Sequence, residues 1–195
     1  MNEIEKRIKE SSKDFLNVVL PEIKNDCEWL KEGEIISIEK ETQNHLAHKF
    51  DILAGMDFLQ IITDKGIRSI ANRIQWGAIY SHWKSITIRE SRNGSKNTEL
   101  KKRIEAIFGK EGFLYPWLTI HSYLTEKGPN AKLFYSVVIK TKDLFECYQW
   151  HPAIFKQHKV TETDGKITRF IYAEAEILKV YVPEIYIFNS NLYKE

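Results

Sequence analysis

Apolar positions along this 195-residue chain change their spacing several times, and each change marks an element. Ile4, Ile8, Phe15, Val18 and Val19 recur at helical intervals, so residues 3–20 read as an amphipathic helix. Pro21 then opens a second short helix carrying Ile23, Cys27 and Leu30, with Gly33 as its stop. From Glu34 to Glu39 apolar and polar residues alternate, the period of a strand. Residues 58–62 and 67–76 form the arms of a hairpin around the turn Thr63-Asp64-Lys65-Gly66. A further strand is expected at 85–89, and Ser91 to Asn97 is the clearest loop.

In the second half, Thr98 reads as the cap of a helix from about Glu99 to Phe108, ended near Gly109. Strands follow around 117–124 and 133–139, joined by a turn at Gly128-Pro129-Asn130. Thr141 reads as the cap of a helix reaching Trp150, with Asp143 in its first turn. Three last strands are expected at 167–172, 175–182 and 184–188, with a turn over 163–166. The fold class is α/β or α+β: one domain, a central mixed β-sheet flanked by helices, with extra C-terminal strands over about 160–190.

Composition narrows the function classes. Apolar residues at 43% and charged residues at 29% are ordinary globular usage, and aromatic residues are plentiful. No apolar run approaches the ~20 residues of a membrane helix. The amino terminus is charged from Glu3 onward and does not read as a signal peptide. Cys27 and Cys147, far apart, read as reduced thiols, which fits a cytoplasmic protein. A net charge of +2 implies no polyanion by itself. Its distribution matters more, because Lys84 to Arg103 holds seven basic residues against Glu90 and Glu99. That segment either faces phosphate or forms a solvated helix face and loop.

Candidate chemistry gathers at the hairpin. Asp51 and Asp57 lie at its mouth, and Ala71, Arg73 and Gln75 share one face of its second strand. A carboxylate pair with a nearby amide oxygen suits Mg²⁺, which would activate a phosphodiester for hydrolysis. Asp51 and Asp57 around Gly55 also read as plain turn residues, and Arg73 and Arg89 as structural partners of Asp57 or Glu90. His45 and His48 belong to a solvated loop, and His121 reads as a core or half-buried histidine. Trp76, Tyr80, Trp83, Tyr115 and Trp117 flank the basic segment, where rings and cations together suit single-stranded nucleic acid. Core packing explains the same rings. Nucleotide-cradling glycine loops, nucleophile elbows and zinc clusters are missing from the sequence.

Gly55-Met56-Asp57, a hairpin, and a strand ending Ala71-Asn72-Arg73-Ile74-Gln75 resemble the core of PD-(D/E)xK nucleases, particularly those similar to Mrr-type restriction enzymes. The resemblance implies a restriction-endonuclease-like fold, with a helix before the hairpin and a helix plus strand after it. It implies Asp57 as the metal-binding aspartate. Ala71 stands where Glu or Gln is expected and Arg73 where lysine is expected, so Asp51, Gln75 or Glu39 would complete the Mg²⁺ shell. The function implied is DNA or RNA binding, with metal-dependent phosphodiester hydrolysis if catalysis is retained. Asp57, Arg73 and Gln75 are the catalytic candidates, and Arg89, Arg92, Lys96, Lys101 and Lys102 the nucleic-acid contacts. The alternative is a non-enzymatic factor of a phage or mobile element that binds another protein. That reading expects an exposed patch including Tyr181, Tyr186 and Phe188, and a terminal strand able to pair across a homodimer.

Overall fold

The computed structural model describes residues 3–38, 55–77, 83–95, 98–109, 114–161 and 165–190. The chain begins with helix α1 (Glu3–Asp14), which widens into a π-helical segment over Phe15–Val19 and continues as α2 (Leu20–Ile23). Pro21 has no N–H for the carbonyl of Asn17 and its ring crowds that carbonyl, and the wide turn just before it accommodates both. Phe15, Val19 and Ile23 fall on one side of the continuous helix and are fully buried. The second helix expected to reach Leu30 ends at Ile23. Beyond it, turns take over, and the buried Gln60 amide donates to the carbonyls of Trp29 (2.9 Å) and Glu32 (2.7 Å), supplying partners that a helix would have supplied.

Two sheets follow. Sheet A runs β1 (Glu34–Ser37), β2 (Phe58–Ile62), β3 (Gly66–Trp76), β5 (Leu118–Leu124), β6 (Leu133–Lys140) and β9 (Tyr186–Asn189). Its neighbours are antiparallel except β3 and β5, which are parallel. A parallel pair needs a long crossover, and this one carries β4 (Ser85–Arg92) and α3 (Glu99–Phe108). Sheet B is antiparallel, in the order β4, β8 (Ile167–Glu174), β7 (Lys156–Thr161). Helices α4 (Thr141–Trp150) and α5 (Ala175–Tyr181), with a 3-10 turn over Pro152–Ile154, complete the described elements. The mixed α+β class is as expected, with the C-terminal strands divided between the sheets, β8 in sheet B and β9 at the edge of sheet A.

Alternation along the strands divides the core in two. Phe58, Ile70, Ile74, Leu118, Ile120 and Leu124 face the amino-terminal helix, where Phe15 meets Phe58 at 4.4 Å. Tyr123, Tyr135, Val137 and Ile139 point the other way, into a second core with α4, α5 and Ile86, Ile88 and Ile171 of sheet B. β6 is therefore covered on both faces and reads as a nearly continuous apolar run.

Several local expectations are corrected. The strand expected at 175–182 is instead the helix Ala175–Tyr181, because Ala175, Leu178 and the following Val182 bury one helical stripe. β7 was not expected at all; its six residues are exposed, so burial left no alternation to read. The expected 91–97 loop begins later, since β4 runs to Arg92. Thr98 stands at the N-cap of α3 but its hydroxyl makes no capping bond, and Lys140, not Thr141, holds the N-cap of α4. The Thr98 hydroxyl donates to the carbonyls of Arg89 and Glu90, and that of Thr141 pairs with Thr119. No described helix is long and apolar enough to cross a membrane.

Gly33 shows how closely the turn before β1 approaches β2. Its φ is +77°, and a Cβ built there would lie 2.2 Å from the Ile61 carbonyl oxygen. Gly33→Ala is expected to destabilise by about 1–3 kcal/mol, since both conformation and contact oppose a side chain. Urea unfolding with an unchanged midpoint would contradict this.

Candidate functional site: the junction of the two sheets

Sheet B meets sheet A through the open edge of β4. One side of β4 pairs with β8; along the other, side chains take the place of a strand. The Tyr123 hydroxyl donates to the Ser85 carbonyl at 2.9 Å. His121 Nδ1 accepts the Thr87 N–H at 3.1 Å, and Arg73 Nη1 donates to the Thr87 carbonyl (2.9 Å) and hydroxyl (3.0 Å). Glu99 Oε2 accepts the Arg89 N–H at 3.1 Å, and the Thr98 hydroxyl serves the next carbonyls at 3.0 and 2.7 Å. An unpaired strand edge, otherwise a template for pairing with another chain, is thus closed from within.

The same side chains form a charged cluster. Arg73 Nη2 lies 2.5 Å from Glu99 Oε2, with 25% and 22% of the two side chains exposed. Arg103, one α-helical turn beyond Glu99, is buried and donates to the Gly55 carbonyl at 2.9 Å. Asp57 stands at the head of β2, and its Oδ2 accepts the Asn72 N–H at 2.5 Å. Phe58 faces the helical core, so Asp57 belongs to the opposite face with Ala71 and Arg73, where its charge acts on Arg103. Burial pushes the Glu99 carboxyl up, but Arg73, Arg103 and Arg89 outweigh it and hold its pKa below the usual carboxylate value. Burial lowers the Arg103 guanidinium, against the opposing pull of Glu99 and Asp57. Burial, followed by the Arg73 charge, sets the His121 pKa well below that of an ordinary histidine. His121 is therefore neutral, with its proton on Nε2, which finds no hydrogen-bond partner among the described residues.

The sequence candidates fare unevenly. Asp57 and Arg73 lie on one face of the hairpin by alternation, Asp57 bound to the Asn72 N–H and Arg73 to Glu99 and Thr87. Gln75 shares that face but sits opposite Tyr123, three residues past Asn72, roughly 10 Å along β3. Arg89 is half-buried within the junction, and Arg92 lies at the far end of β4. Lys101 is exposed and pairs with Glu105, while Lys102 is half-buried on α3. Asp51, Glu39, Lys96, His45, His48 and Tyr80 lie outside the described residues. The tryptophans do not form one cluster: Trp76 donates to Asp14, Trp117 meets Trp29 and Arg68, and Trp83 meets His158 and Tyr172. Sequence reasoning missed Glu99 and Arg103 as junction residues. The one available signal was an acid opening a helix within a basic run.

Among the described residues no three His, Cys, Asp or Glu side chains are placed to share a metal ion. The described carboxylates at the hairpin face are Asp57 and Glu99, both set among guanidinium groups. Comparison with protein-family models, curated proteins and solved structures finds no match to this chain.

Proposed function

We propose that this protein is a nucleic-acid-binding domain with a nuclease-like arrangement, and that the junction around Asp57, Arg73 and Arg89 is where the phosphodiester chain passes. The observation that carries the reading is the gathering of three guanidinium groups, Arg73, Arg89 and Arg103, against two carboxylates at the hairpin face. That excess of positive charge attracts phosphate and is only partly buried. The order of elements supports it too: α1, the β2–β3 hairpin, α3 and β5 follow the order that the nuclease resemblance implies. In its hydrolytic form Asp57 would hold Mg²⁺, which would supply an activated water beside the phosphate.

A gel-shift and cleavage assay on DNA and RNA, with Mg²⁺, with Mn²⁺ and with chelator, tests this. Binding is expected to persist in chelator and to fall at least tenfold in Arg89→Ala; unchanged binding in that variant sinks the reading. Any metal-dependent cutting is expected to vanish in Asp57→Ala while binding is kept.

One observation favours a protein partner instead. Trp150 and Val180 are 73% and 74% exposed, and Tyr181, 44% exposed, lies 4.4 Å from the His151 ring. This apolar surface belongs to the ends of α4 and α5. Tyr186 and Phe188 are half-buried against the helical core. β9 ends sheet A beside β6, with no described strand on its far side.

A further inference from the structure

Resting on the nucleic-acid reading, we infer that the polymer is single-stranded and that its bases stack on the face of sheet B that turns away from the second core. Alternation along β4 and β8 assigns the faces. Ile86, Ile88, Ile171 and Ala173 point into the core, which leaves Thr87, Arg89, Phe170 and Tyr172 on the other side. The register sets Arg89 directly beside Phe170, Phe170 beside His158, and Tyr172 beside both Thr87 and Lys156. Trp83, just ahead of β4, meets the His158 ring at 5.4 Å and the Tyr172 ring at 6.5 Å. Phe170, Tyr172 and His158 therefore share one side of the small sheet, and Trp83 reaches their rings while also packing against the second core. Phe170, Tyr172 and Trp83 are half-buried and His158 is exposed.

Cations interleave with these rings. Arg73 lies over Phe170 at 5.7 Å while also holding Glu99, so the aromatic face borders the charged junction. Arg89 flanks the same ring, and Lys156, paired with Glu174, stands beside Tyr172. Flat rings with guanidinium and ammonium groups between them are the means by which proteins hold unpaired bases and their phosphates. A duplex keeps its bases stacked on each other and offers these rings nothing. The face thus favours a single strand, laid across β8 and led past Arg73 toward Asp57.

The test compares a fluorescein-labelled oligodeoxythymidine 15-mer, its RNA counterpart and a 15-base-pair duplex by anisotropy, with Trp fluorescence followed in parallel. The wild type is expected to prefer the single strands and to show quenching that disappears in Trp83→Phe. Phe170→Leu and Tyr172→Leu keep the apolar volume and remove the ring; each is expected to weaken single-strand binding about tenfold, the loss of one stacked base, and to leave duplex binding unchanged. Phe170→Tyr should restore the affinity. Single-strand affinity unaltered in both Leu variants overturns the stacking face while leaving nucleic-acid binding in place. Failure of the wild type to bind any of the three probes overturns both readings.

Discussion

Glu99→Ala is expected to lower the stability of the folded chain by about 3 kcal/mol, the lower end of the cost of breaking a buried ion pair from one side. The reason lies in what the variant leaves behind. Arg73 loses its carboxylate at 2.5 Å, the Arg89 N–H loses its acceptor, and buried Arg103 loses an opposing charge. These groups are largely shielded from water, so each lost partner counts for much of its desolvation cost. The pair is about one quarter exposed, which sets the figure at the lower end. Urea unfolding should show a lower midpoint with the same slope. Arg73→Ala should be nearly as harmful, and the double variant less harmful than the sum, because the two groups depend on each other. A loss below about 1 kcal/mol in Glu99→Ala would mean that solvent screens the pair as at an ordinary surface.

Acid should unfold the protein through the same junction. His121 has a folded-state pKa well below 6.5, so the unfolded chain takes up a proton there that the folded chain refuses. Stability then falls as pH drops below about 6.5, by about 1.4 kcal/mol per pH unit until the folded-state value is reached. Glu99 adds to this at lower pH. Its folded-state pKa is depressed, so its contribution is present above the ordinary carboxylate value and is lost as pH falls through the folded one. His121→Gln should flatten the stability profile just below pH 6.5, whatever it costs at pH 7. A variant profile as steep as that of the wild type would contradict the assignment.

Elements that carry their own pattern were legible in the sequence. The β2–β3 hairpin is set by alternation on both sides of a turn at Asp64, where the backbone adopts φ +62°. Helices α3 and α4 have helical apolar spacing and polar flanks, and their bounds fall where the spacing does. The α5 segment misled because Ala-Glu-Ile-Leu-Lys-Val-Tyr satisfies both periods over so short a length; only the neighbours of Ala175 and Leu178 decide between them. β7 was illegible because it buries nothing and exists through its pairing with β8.

The candidate site divides in the same way. Asp57 and Arg73 were legible because they belong to one hairpin's local geometry, with Asp57 tied across fifteen residues to the Asn72 N–H beside Arg73. Glu99 was not, because its role arises from a contact across 26 residues with Arg73 and from the open edge of a strand in another sheet. His121 was read as a core histidine, and so it is, yet its acceptor role toward Thr87 needs β4 laid against β5. Residues that join distant elements leave little trace in local periodicity.

The most direct measurement is the binding of the wild-type protein to a labelled single-stranded oligonucleotide, followed by anisotropy from low to physiological salt. The account predicts saturable binding that weakens steadily as salt rises, because cations at the junction and on sheet B displace counterions from phosphates. No binding at the lowest salt would contradict it, and the exposed surface at Trp150, Val180 and Tyr181 would then become the place to look for a partner.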